Sequence, residues 1–179
     1  MHWMVLAPIA FQNAAMFFDE FHYHRRRGLP RWERIGHPLD TLTVLACFAW
    51  ILTRPPTPAN VAVYLGLALF SCVFVLKDER VHFQHCSLGE QWLHAALFVF
   101  HPLTLISFGL LWGPARGEPV AAPWLAGGID ARHALVAQAA ATAAIFVYQV
   151  VYWNFLRAPS TSVAAAEVRA HAGNAVHDI

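Results

Sequence analysis

Five apolar stretches, separated by polar or proline-rich segments, restrict what this chain can fold into. They run from Trp3 to Phe18, about Leu39 to Thr53, Val61 to Leu76, Trp92 to Trp112 and Arg132 to Leu156, and the first can continue as helix to about His24. A helix crossing the hydrocarbon core of a bilayer needs about 20 apolar residues, so each stretch reaches or approaches spanning length. The second and third are short, and either extend into polar flanks or thin the bilayer around them. Arg54-Pro55-Pro56-Thr57-Pro58 closes the second, Asn60 is the expected N-cap of the third, and Pro102 the expected kink of the fourth. Composition argues against a soluble bundle: 58% of the 179 residues are hydrophobic and 13% are charged, about half the usual charged share. Helices apolar on every face belong in a membrane or inside a much larger protein. The fold class read from the sequence is all-α, a polytopic membrane bundle of about five transmembrane helices over residues 1–158. A cytoplasmic tail over 159–179 follows, a short helix or a disordered segment.

Basic residues orient such a bundle. With five spans threaded, Arg25, Arg26, Arg27, Arg31, Arg34, Lys77, Arg80, Arg157 and Arg169 share one side, against Arg54, Arg116 and Arg132 on the other. This predicts an outside N-terminus, a cytoplasmic C-terminus and residence in a bacterial inner or plasma membrane. The first stretch has neither the basic n-region nor the small-residue cleavage site of a leader. A net charge of +1 gives no overall imbalance that would point to nucleic acid. Cys47 and Cys72 read as small apolar fillers, and Cys86 beside His85 has a minor claim as a ligand. There is no CxxC spacing and no GxSxG nucleophile motif.

Acids and histidines crowd the predicted cytoplasmic edge. Four helix ends carry them: the runs Asp19–His24, His37–Asp40, Asp78–His85 and Glu90–His94, whereas the opposite loops hold only Glu118, Asp130 and His133. Residues three or four apart share a helix face. Glu20 and His24, Asp78 and His82, and Glu90 and His94 are four apart; Glu79 and His82, and His82 and His85, are three apart. Carboxylate–histidine pairs converging from several helices hold di-iron and di-manganese centres in bundles, and Glu79-Arg80-Val81-His82 repeats their Glu-x-x-His spacing. Imidazole and carboxylate together suit iron, manganese or zinc. The candidate metal ligands are therefore Glu20, His24, Asp40, Asp78, Glu79, His82, His85, Glu90 and His94. Asp40 and Asp78 are ligands or groups that orient one. The competing reading is a plain rim of solvated interfacial charge.

His101, seven residues beyond His94 on nearly the same face, is a ligand, a proton relay or a hydrogen-bonding tie between helices. Gln12, Asn13, Gln138, Gln149 and Asn154 read as interhelical ties, and Tyr152 and Trp153 as part of an aromatic belt. The stretch Gly28–Arg34 is expected to fold over the cytoplasmic edge with Trp32 among the headgroups.

His82-x-x-His85, the close pair His22 and His24, and their side of the membrane resemble the membrane histidine-box enzymes, the fatty acid desaturases and hydroxylases. The HxxHH boxes of those families are absent here, and acids are far more numerous. The resemblance implies two iron ions, an electron donor, and oxygen activation on an apolar, lipid-like substrate, with Asp and Glu replacing some histidines. Two alternatives stand beside it. One is a zinc-dependent membrane hydrolase of lipid amides or esters, with Glu90 as general base. The other is a non-enzymatic membrane subunit that binds haem or metal, His24 pairing with His94 or His101.

Overall fold

The structure, a computed structural model, describes residues 3–78, 86–118 and 130–157. Every described element is helical. Helix α1 (Trp3–Phe18) runs directly into a π-helical turn, Asp19–His24, and a last helical turn, Arg25–Arg27. Then come α2 (Arg31–Thr53), α3 (Pro58–Phe74) with a 3₁₀ turn over Val75–Asp78, and α4 (Leu88–Ala115). The last, α5 (Ala131–Val151), ends in a second π-helical turn, Tyr152–Leu156. Four segments are long and apolar enough to cross a membrane: Arg31–Thr53, Pro58–Lys77, Leu88–Ala115 and Ala131–Leu156. Helix α1 has 16 residues, about 24 Å of rise, and its continuation through Arg27 is polar.

Capping chemistry sets the helix ends. Thr57, not Asn60, caps α3: its hydroxyl oxygen accepts the Asn60 N–H at 3.3 Å, and Pro58 takes the first turn, where a missing N–H costs nothing. Asn60 instead donates its side-chain amide to the Pro55 carbonyl (2.9 Å) and accepts the Trp50 indole N–H (3.0 Å) on its own carbonyl. Ser87 caps α4 through the Glu90 N–H, and Asp130 caps α5 through the N–H groups of Arg132 and His133. Helix α2 starts well before Leu39 and carries Pro38 inside it. The segment expected to fold over the edge is therefore its first turn, and the connector is only Gly28-Leu29-Pro30. Pro30, at φ −62° and ψ 160°, precedes the first helical residue, and its carbonyl accepts the Arg34 N–H at 3.1 Å. Gly28 makes the reversal at φ 76° and ψ 160°, a region essentially closed to side-chain-bearing residues.

Helix α1 packs on α4, and α2 lies between α3 and α5, with α4 also against α3 and α5. The apolar core fills the end of the bundle away from His24 and His94. Cys47, Phe48 and Ile51 of α2 meet Tyr64 of α3 and Leu105, Phe108, Leu111 and Trp112 of α4 there. Gly109 permits this approach, since a Cβ on it would lie 3.1 Å from the Tyr64 ring. The indole of Trp112 donates to the Arg54 carbonyl (2.8 Å), and Arg116 donates to the carbonyls of Ile51 and Leu52, which satisfies the last turn of α2.

Polar side chains tie the helices to one another while large apolar ones face outward. Thr41 donates to Gln149 (2.8 Å), and Asn13 and Gln138 exchange amide hydrogen bonds at 2.8 and 2.9 Å. Among the described residues Asn154 makes no hydrogen bond between helices; it donates to Val150 of its own helix. Leu65, Leu69 and Val73 form an exposed stripe along α3, the arrangement a lipid-facing helix requires.

Gly28→Ala is expected to lower stability by about 1–3 kcal/mol, read from equilibrium unfolding in detergent; an unchanged transition would contradict the role given to the reversal.

Candidate metal centre

The π-helical turn after α1 creates the centre. On a regular α-helix Asp19 and His24, five apart, would point about 140° away from each other; in a turn closed by i→i+5 bonds they approach alignment. Both turn inward, as does Glu20. Glu90 and His94, one turn apart at the start of α4, face them. The Asp19 Oδ2 atom lies 3.1 Å from His24 Nε2 and 3.0 Å from His94 Nε2. Glu90 Oε1 is 3.8 Å from His24 Nε2. One ligand atom from each of Asp19, His24, Glu90 and His94 falls within 4.8 Å of the others, and all four residues are buried. Metal bonds of about 2.0–2.2 Å put neighbouring ligand atoms about 3.0–3.5 Å apart, which the two Nε2 atoms beside Asp19 Oδ2 match.

Outer contacts orient the ligands. His24 Nδ1 sits 3.3 Å from Glu20 Oε2, and Glu20 Oε1 accepts the Trp153 indole N–H at 2.6 Å. Anchoring one imidazole nitrogen on a carboxylate aims the other at a metal. The aimed atom, His24 Nε2, is shielded from solvent and has no hydrogen-bond partner among the described residues; the same holds for Asp19 Oδ1. Buried polar atoms left this way are costly unless a further group meets them.

His24, Glu33 and His37 form a second group of closely spaced ligand atoms. Arg27 reaches into it. Its guanidinium donates to Glu33 Oε2 at 2.6 Å and to Glu90 Oε1 at 2.9 Å, so it bridges acids of α2 and α4, and it also contacts Cys86 Sγ at 3.6 Å. Burial works against the Arg27 charge, but the facing Glu33 outweighs it and raises the pKa above that of an ordinary arginine. Burial likewise opposes ionisation of Asp19. The hydrogen bond from His94 and the charges of His24, His94 and His37 overcome it and hold the Asp19 pKa below its usual value. Glu20 is also lowered against its burial, through His24 and the Trp153 N–H.

Of the residues singled out in the sequence, His24, Glu90 and His94 come together, and Glu20 stands one bond behind His24. Asp40 forms an ion pair with Lys77 at 2.6 Å and belongs to neither group of closely spaced ligand atoms, although it lines the same cavity. Glu79, His82 and His85 lie outside the described residues, as does the side chain of Asp78. Sequence reasoning set Asp19 and His37 in the polar runs at the helix ends without naming them ligands, and missed Glu33 and Arg27. Glu33 and His37 carry the same four-residue spacing as Glu20 and His24, and that signal could have found them. Trp153, expected in an aromatic belt, is 2% exposed and holds Glu20. His22 faces away, stacked on Phe18 and 3.2 Å from Arg26. His101 is a tie between helices, bonded to Gln12 and Ser71 at 3.0 Å each.

No protein-family model matches the chain, and no curated protein or solved structure matches it.

Trp153→Phe keeps an aromatic ring and removes the donor to Glu20. It is expected to weaken metal binding about 10–100-fold in a competition titration against a chromogenic chelator; wild-type affinity would contradict the part given to Glu20 and Trp153.

Proposed function

We propose that the chain is a metal-dependent membrane oxidoreductase acting on a lipid-like apolar substrate, its centre built on Asp19, His24 and His94 with Glu90 beside them. The observation that supports this most is the meeting of both Nε2 atoms on one carboxylate oxygen, at 3.0 and 3.1 Å, in a buried site. Two imidazoles and one carboxylate with positions left open form the ligand set of non-haem iron oxygenases, which makes iron the metal of this reading. A second iron would draw on Asp78, Glu79, His82 and His85. Iron held there would supply dioxygen activation. One dioxygen, with an electron pair and a pair of protons from a donor, would convert a C–H bond into C–OH and release one water; desaturation would use the same dioxygen, electrons and protons, take two hydrogens from adjacent carbons and release two waters. The residues of the chain hold the ligands in place, keep bulk water out, and line the cavity that receives the substrate.

In this reading α1 is a fifth span, shortened where its polar π-helical turn begins. The centre then sits at the cytoplasmic face, because Arg25, Arg26, Arg31, Arg34 and Lys77 lie at its end of the bundle, against Arg54, Arg116 and Arg132 at the other. An inner or plasma membrane follows from the same asymmetry. A zinc hydrolase is the second reading. Glu90, 1% exposed and 3.8 Å from His24, would be its base.

Elemental analysis of detergent-purified protein, run beside Asp19→Asn and His94→Ala, tests the proposal. Stoichiometric iron that falls at least about tenfold in both variants is expected. One equivalent of zinc without iron would replace the oxidoreductase with the hydrolase, and folded protein without stoichiometric metal would overturn both.

A further inference from the structure

The metal centre is one pole of a cavity of about 490 Å³ between α1, α2, α4 and α5. Asp19, His24 and His94 line that pole. The middle is walled by apolar side chains, among them Met16, Val44, Leu97, Phe98 and Ile145. Gln12 and His101 line the far pole, with Asn13 and Gln138 beside them. Gln12 lies seven residues before Asp19, and His101 seven after His94. At 1.5 Å per residue each separation is about 10 Å along the helix axis, so the two polar poles face each other across a greasy interval.

The far pole is short of one donor. His101 has both ring nitrogens engaged: Nδ1 with Gln12 Nε2 and Nε2 with Ser71 Oγ, each at 3.0 Å. Ser71 continues to Thr43 at 2.7 Å, and Thr43 donates to the Asp40 carbonyl. The remaining atom, Gln12 Oε1, is shielded and has no hydrogen-bond partner among the described residues, in a side chain of a residue 8% exposed. Lipid tails have nothing to donate to it. A buried acceptor at the end of a mostly apolar interval is how a binding site fixes a ligand's polar group.

We propose that this cavity binds a long-chain alcohol, its hydroxyl donating to Gln12 Oε1 and a chain position about 10 Å away lying at the metal pole. This deepens the reading of the centre as the reacting site by naming its substrate class, and rests on that reading only for what happens at the metal pole. The hydroxyl sets the register, so the position presented to the centre is fixed by distance along the chain. Asn13 and Gln138 tie α1 to α5 by exposed hydrogen bonds beside the hydroxyl pole.

The test uses the full chain in lipid nanodiscs with tritiated 1-dodecanol as probe, displaced by unlabelled 1-dodecanol or by dodecane at matched membrane mole fractions. One buried hydrogen bond predicts that the alcohol displaces the probe roughly fivefold better than the alkane. Gln12→Leu, with Gln12→Met as a second variant should the first not fold, is expected to abolish that preference while metal content stays at the wild-type value. Equal potency of alcohol and alkane on the wild type overturns the proposal, and so does a preference that survives in both variants. A preference that behaves as predicted in protein lacking stoichiometric metal would uphold the alcohol site and overturn only the redox reading.

Discussion

Asp19, Glu20, Glu33 and Glu90 are each at most 5% exposed and lie together in an otherwise apolar bundle. Leaving such ions uncompensated costs several kcal/mol apiece, and the local architecture answers that cost. Arg27 serves Glu33 and Glu90. Asp19 and Glu20 are left to His24, His94 and the Trp153 N–H. Each ring nitrogen of His24 faces an acid, Nδ1 at 3.3 Å from Glu20 Oε2 and Nε2 at 3.1 Å from Asp19 Oδ2. A metal ion held among these atoms would bring a double positive charge to the acids.

Two widened helical turns make this clustering possible. The π-helical turn Asp19–His24 and its counterpart Tyr152–Leu156 lie side by side, joined by the Trp153–Glu20 hydrogen bond. Arg157 reinforces the joint by donating to the Arg25 carbonyl at 2.6 Å, and Arg25 contacts the Tyr152 hydroxyl at 3.3 Å. The opposite end of the bundle is closed by Phe48, Phe108 and Trp112. The molecule thus divides into a packed apolar half that fixes the helix spacing and an open half in which that spacing leaves a cavity. Ties at His101 and Thr41 hold the walls of the open half apart at a set width.

Hydropathy alone located the apolar segments, because length and apolar content are summed along the chain and need no partner. Helix ends were harder. Asn60 and Thr57 are both good caps, and the choice turned on Pro58 fitting the first helical turn. In α2, Pro38 masked a helix that begins at Arg31, which hid the Glu33–His37 pair in what read as a loop. The centre was legible where α-helical spacing held, at Glu90 and His94, and misleading where it did not. Counting four residues back from His24 leads to Glu20, whereas the π-helical turn brings Asp19 to the shared position as well. Asp40 looked equivalent to the other acids; its pairing with Lys77, across two helices, has no signature in local sequence.

X-ray absorption at the metal edge of iron-loaded protein tests most directly whether these side chains form the centre. The account predicts a shell of nitrogen and oxygen only, with the multiple-scattering features of two imidazoles. A sulfur shell, which would place Cys86 on the metal, or an oxygen-only shell without imidazole scattering would contradict it.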